Sequence, residues 1–224
     1  MQSMDIFPIN KPMGPILAFI HGGYWSSRSK SIGRFLAPFY TAAGVNFISI
    51  GYRLCPAVQI GSIVKDIRNC LDWIFENAWQ FDGDKNKIFV AGHSAGGHLA
   101  GLMCSPSGPS YLKGGCSLSG IHDLEPIRLS YLNAQVRLTL NEVDKYSPVR
   151  VVESMVPEEV KLPPIIIAVG AKEGQEYLYQ TNCLTDVLNE AKQPVLKSII
   201  EDGNHFSVCE LSLIHISEPT RQPC

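Results

Sequence analysis

The feature that most restricts the fold of this 224-residue chain is a series of short, β-rich apolar runs separated by helical patterns. The runs are Pro15–Ile20, Asn46–Ile50, Ile88–Ala91, Gly115–Leu118, Ile165–Val169 and Val195–Ile200. A strand with one wet face alternates apolar and polar residues. A strand that is apolar throughout is covered on both faces, and helices supply the cover. Between the runs, Ile63, Ile67, Cys70, Leu71 and Ile74 recur at helical spacing, as do Leu184, Val187, Leu188 and Ala191 before Gln193-Pro194 ends the pattern. This alternation predicts an α/β fold: a mostly parallel sheet, helices on both faces and right-handed crossovers.

Charge and composition narrow the function classes. Nineteen basic and 21 acidic residues leave a formal charge of −2, so no basic field exists to hold a nucleic acid. With 45% apolar and 18% charged residues, the chain can bury a sizeable core. Phe35–Tyr52 carries no charge and could span a bilayer by length, but Pro38, Thr41, Gly44 and Asn46 punctuate it as helix, turn and strand. The start, MQSMDIFPINK, lacks the basic head and apolar run of a signal peptide. The seven cysteines (55, 70, 104, 116, 183, 209 and 224) form no C-x-x-C, and free thiols in a reducing, cytoplasmic setting are expected.

Leu211–Arg221 reads LSLIHISEPTR, which resembles an in-frame translation of a transposase-end adapter used in sequencing libraries. Residues 211–224 are therefore expected to be a non-native tail, and His215 and Cys224 are set aside with it. Residues 1–210 are read as one domain.

Three motifs carry chemistry. Gly92-His93-Ser94-Ala95-Gly96 is a G-x-S-x-G sequence between the run Ile88–Ala91 and a helix-compatible stretch. That strand–turn–helix context is what a nucleophile elbow requires, and it makes Ser94 the candidate nucleophile. His21-Gly22-Gly23-Tyr24-Trp25 follows the run Pro15–Ile20. Its two glycines allow backbone amides to turn toward a bound carbonyl, so Gly22 and Gly23, with the amide of Ala95, are the candidate oxyanion hole. His205, in the turn Asp202–Phe206 after the last apolar run, is the candidate general base. Tyr24 and Trp25 are candidates for the aryl side of a substrate pocket. No metal site is expected: His93 and His98 are five residues apart, and there is no H-E-x-x-H.

HGGYW, GHSAGGHLAG, SGIHDLEP and GNHF together resemble the arylformamidase (kynurenine formamidase) branch of the α/β-hydrolases, related to the hormone-sensitive-lipase-like esterases. The resemblance covers roughly residues 4–210. It implies an α/β-hydrolase fold without cofactor, acting on a small aryl amide, N-formyl-L-kynurenine foremost. It also implies an acid after the run Ile165–Val169, where relatives show V-G-x-x-D-S-P-E-F. Here the segment is VGAKEGQEY, which puts Glu173 at the acid position, with Glu176 and Asp186 as alternatives. Relatives carry more chain before the HGG motif and a helix after the histidine turn, so truncation at both ends is expected. A broad-range carboxylesterase would use the same residues. A non-catalytic binding module is the remaining alternative, suggested by Lys172 on a second alignment that breaks the triad.

Overall fold

A computed structural model describes residues 3–154 and 160–211. The strands are β1 (Ser3–Phe7), β2 (Gly14–Ile20), β3 (Asn46–Gly51), β4 (Gly83–His93), β5 (Gly114–Leu118), β6 (Ile165–Gly170) and β7 (Val195–Ile200). They form one seven-stranded sheet in the order β1-β3-β2-β4-β5-β6-β7. Every pairing is parallel except β1 with β3. All six expected strands are present. The sequence pattern had not indicated β1, an edge strand whose five residues are all half-buried and so show no apolar face. Its Asp5 is held by Lys30 at 2.6 Å and Arg34 at 2.7 Å.

The helices are α1 (Ala37–Ala42), α2 (Ile60–Asn77), α3 (Ala95–Met103), α4 (Glu125–Arg128), α5 (Asn133–Val136), α6 (Leu140–Tyr146), α7 (Pro148–Glu153) and α8 (Gln175–Glu190). The larger core lies between one sheet face and helices α2, α3 and α8. There Ile16, Ile20, Ile48 and Val90 of the strands meet Ile63, Ile67, Leu71, Leu99 and Leu184. The period-2 geometry of β2 sends Phe19 to the opposite face, where it packs with Phe47, Ala91, Leu36 and Ala37. A smaller cluster there joins Leu118, Ala168 and Ile200 to Val208 and Cys209.

The uncharged stretch 35–52 is resolved as the end of a 3-10 turn, α1, a turn at Gly44 and β3. Among the described residues, no helix is long and apolar enough to cross a membrane. The described cysteines, Cys55, Cys70, Cys104, Cys116, Cys183 and Cys209, are free thiols. The adapter-like tail lies outside the described residues apart from Leu211. What positions the site is the shared direction of the parallel strands: β2, β4, β6 and β7 all deliver their C-terminal loops to one rim of the sheet.

Candidate active site

Ser94 sits between β4 and α3 with φ +57° and ψ −118°, a conformation that costs a non-glycine residue energy and persists only when its surroundings enforce it. The enforcement is visible. Its amide donates to the Leu118 carbonyl at 2.9 Å, and its carbonyl accepts the first helical bond, from the His98 amide at 3.0 Å. The strand and helix also approach too closely for side chains at the flanking glycines. A Cβ at Gly92 would collide with the Gly96 carbonyl, and one at Gly96 with the carbonyl of Ile20. The serine is thereby held at the head of α3, beside the outward-pointing first amides of that helix.

The loop after β2 faces it. Gly22 and Gly23 line the same cleft as Ser94, a space of about 320 Å³ that also borders Tyr24, His205 and Phe206. Gly23 adopts φ +112°, and its carbonyl is gripped by the amides of Ser26 and Ser27, both at 3.1 Å. His21 braces the loop from behind: Nδ1–H donates to the Gly22 carbonyl at 2.8 Å, and the ring stacks on Tyr52 with centroids 4.3 Å apart. A backbone so fixed can present amides to developing negative charge without reorganising.

His205 and Glu173 come together through the pairing of β6 with β7. The ladder continues past both strand ends, with Ala171 N–H donating to the Ile200 carbonyl and Lys172 N–H to the Gly203 carbonyl, each at 2.9 Å. Across this junction Glu173 Oε2 accepts the His205 Nδ1–H at 2.6 Å. Its other oxygen, Oε1, accepts from Ser119 Oγ at 2.5 Å and from the Gly170 amide at 2.8 Å. Burial raises the Glu173 pKa, but the hydrogen bonds from His205, Ser119 and Gly170 outweigh it and hold the carboxyl below its ordinary value. Asn204 shapes the histidine turn, its Oδ1 accepting from the amides of Phe206 and Ser207 at 2.9 and 3.0 Å.

Two side chains absent from the sequence-level site complete the arrangement. Tyr177, in the first turn of α8, lays its ring against His205 with centroids 4.4 Å apart. Its hydroxyl meets that of Tyr24 at 2.9 Å and also interacts with Ser94. On the other side His93 donates Nε2–H to the His205 carbonyl at 2.6 Å. Burial lowers the His93 pKa to about 4, so the ring is neutral and keeps its donor near pH 7. In VGAKEGQEY, Tyr177 stands where relatives show the phenylalanine of V-G-x-x-D-S-P-E-F, a match that by itself names no contact. Ser119 opens the SGIHDLEP motif, but its contact with Glu173 follows from the β5–β6 pairing.

One expectation is corrected. Trp25 does not line the cleft; it is fully buried, and its Nε1–H donates to His98 Nδ1 at 3.2 Å. The positive φ values of Tyr24 and Trp25, +46° and +55°, turn the two rings apart, Tyr24 to the cleft and Trp25 into the core. Lys172 points outward and pairs with Asp202 at 2.9 Å. Glu176 accepts from Gln180 at 2.9 Å rather than meeting His205, and Asp186 lies farther along α8. Asp123 accepts from the Glu125 amide at 3.0 Å, a local turn contact. His122 is buried, with Nε2 3.3 Å from Ser117 Oγ.

Residues 4–119 match the family model described as BD-FAE. Among curated proteins, the chain is 27% identical over 216 residues to a kynurenine formamidase of Danio rerio, covering 93% of this chain and 72% of the relative. It is 28% identical to a kynurenine formamidase of Salmo salar, with 88% and 67% covered. An isoprenylcysteine alpha-carbonyl methylesterase of Arabidopsis thaliana is 26% identical, with 80% of this chain and 47% of the relative covered. Among solved structures, a hyperthermophilic esterase from Pyrobaculum calidifontis superposes with a TM-score of 0.79 at 18% identity, covering 95% of this chain and 75% of that one. Butyrate-bound esterase Est2 of Thermogutta terrifontis gives 0.75 at 18% identity, with 98% and 91% covered.

Proposed function

The chain belongs to the BD-FAE family and is a hydrolase of the α/β-hydrolase fold, in its arylformamidase-like branch, and from that premise we propose that it removes the formyl group from an arylformamide, N-formyl-L-kynurenine foremost. The observation that carries this reading is the Glu173–His205 hydrogen bond beside the cleft that holds Ser94. The likeness to kynurenine formamidases over most of the chain supports the choice of substrate.

In this reading His205, its Nδ1–H held by Glu173, leaves Nε2 free to take the proton of Ser94 as Oγ attacks the formyl carbonyl. The tetrahedral oxyanion rests on the amides of Gly22, Gly23 and Ala95. Collapse breaks the C–N bond, and the imidazolium returns its proton to the departing arylamine. Water, deprotonated by His205, then attacks the formyl-serine; formate leaves and Ser94 is regenerated. Glu173 stays ionised and stabilises the imidazolium throughout. Tyr24 packs against the aryl group. The free thiols support a cytoplasmic setting.

A short-acyl carboxylesterase is the second reading, favoured by the likeness to a methylesterase. One experiment separates the two: kcat/KM for N-formylkynurenine beside those for p-nitrophenyl acetate and butyrate, with Ser94→Ala as the blank. Preference for the formamide supports the first reading, and turnover of esters alone supports the second.

A further inference from the structure

We propose that Arg28 is the specificity element of the cleft, forming a two-point contact with the carboxylate of an aryl substrate that carries an amino-acid head. This rests on the acyl-hydrolase reading above and extends it from the reacting bond to the far end of the substrate.

The surroundings of Arg28 set it apart from the basic side chains near it. Lys30 and Arg34 are both engaged by Asp5, at 2.6 and 2.7 Å, and Arg53 is engaged by Asp66 at 2.6 Å. Lys172, on the acid loop, is paired with Asp202. Arg28 lines the cleft with Ser94 and His205, and among the described residues no carboxylate lies within ion-pair distance of it. An ionised guanidinium facing the same cleft as the nucleophile is a ready anion site.

The loop that carries it is also constrained. Arg28 has φ +70°, at the end of a loop in which Tyr24 and Trp25 are left-handed as well. The loop is tied down by Ser26 and Ser27 N–H donating to Gly23, by Ser27 Oγ donating to the same carbonyl at 3.0 Å, and by Cys55 N–H donating to Trp25 at 2.8 Å. The guanidinium sits over the ring of Phe206, 5.9 Å from its centroid. Phe206 follows His205, so this contact anchors the cation to the histidine turn. A guanidinium resting over an aromatic ring makes no hydrogen bond to it and keeps its N–H donors for a carboxylate fork, which a lysine cannot reproduce.

The remaining charge on the cleft is Glu210. An acid there disfavours a substrate that is only anionic and suits a head carrying an ammonium beside its carboxylate. An α-amino acid has both.

The test compares the purified chain with Arg28→Ala, Arg28→Gln and Arg28→Lys on two matched substrate pairs. The formamide pair is N-formylkynurenine and 2′-formamidoacetophenone, which lacks the amino-acid head. The ester pair is 4-acetoxyphenylacetate and phenyl acetate. Loss of one charge-assisted fork is expected to lower the charged-to-neutral ratio of kcat/KM by about 10- to 100-fold in Arg28→Ala and Arg28→Gln, through KM rather than kcat. Arg28→Lys should recover part of the ratio. An unchanged ratio, or equal losses on both members of a pair, would overturn the proposal. Arg28→Gln keeps the side-chain length, so it reads the charge even if Arg28→Ala does not fold. If the parent cleaves only the esters, the formamidase reading fails, and the ester pair still decides the role of Arg28.

Discussion

Ser119 donates from Oγ to Oε1 of Glu173 at 2.5 Å, fixing the carboxylate whose other oxygen receives the His205 Nδ1–H. The carboxylate is thus aimed from two sides, and the two contacts should differ in weight. Glu173→Gln should lower kcat by about 10²–10⁴ with much less change in KM, because it removes stabilisation of the imidazolium and can invert the tautomer. Ser119→Ala leaves the Gly170 amide on the same oxygen, and a loss of about tenfold or less is expected. Steady-state kinetics on the preferred substrate decide. A near-parental Glu173→Gln beside a crippled Glu176→Gln or Asp186→Asn would move the acid elsewhere.

Tyr177 contributes in two ways, its ring packed against His205 and its hydroxyl bonded to that of Tyr24, and substitution separates them. Tyr177→Phe retains the ring contact at 4.4 Å and loses the bond to Tyr24. A loss of roughly two- to tenfold in kcat/KM is expected, the scale of one hydrogen bond. Tyr177→Ala removes the wall beside the imidazole and should cost more, mainly in kcat. Equal effects of the two variants would show that the hydroxyl alone matters.

Acid should destabilise the fold in a defined window. Burial lowers the pKa of His93 and His98 to about 4 and that of His122 to about 3, from 6.5 in an exposed histidine. The unfolded chain therefore takes up protons near pH 6.5 that the folded chain refuses until about pH 4 or below. Between these values the unfolded state holds more protons, so stability is complete above about pH 6.5 and falls as pH drops. With three such groups the slope near pH 5 approaches about 4 kcal/mol per pH unit. Urea melts between pH 4.5 and 7.5 measure it. A flat midpoint across that range would mean that these rings are charged in the folded state.

Activity should survive chelation. In the proposed mechanism the nucleophile, base and oxyanion donors are all protein groups, and among the described residues no three metal-ligating side chains cluster. Rates in excess EDTA should match those without it. Loss of rate that added zinc restores would point to a different reaction.

The sheet and the strained turn at Ser94 were legible in the sequence because they rest on local signals. Strands covered on both faces are continuously apolar, and the elbow needs glycines two positions either side of Ser94 for backbone clearance that can be read at one site. Edge strand β1 was hidden for the opposite reason: its half-buried residues carry no apolar period. The orientation of Trp25 was equally hidden, since one turn of left-handed backbone sends neighbouring aromatic rings to opposite surroundings. The remaining relationships join residues far apart in the chain. Tyr24 meets Tyr177, His93 meets the carbonyl of His205, and Ser119 meets Glu173 only because parallel strands bring their C-terminal loops to one rim. Periodicity and motif spacing report which residues a chain must bury or turn upon; which side chains then face one another across the rim depends on strand order and register, and those exist only once the sheet has formed.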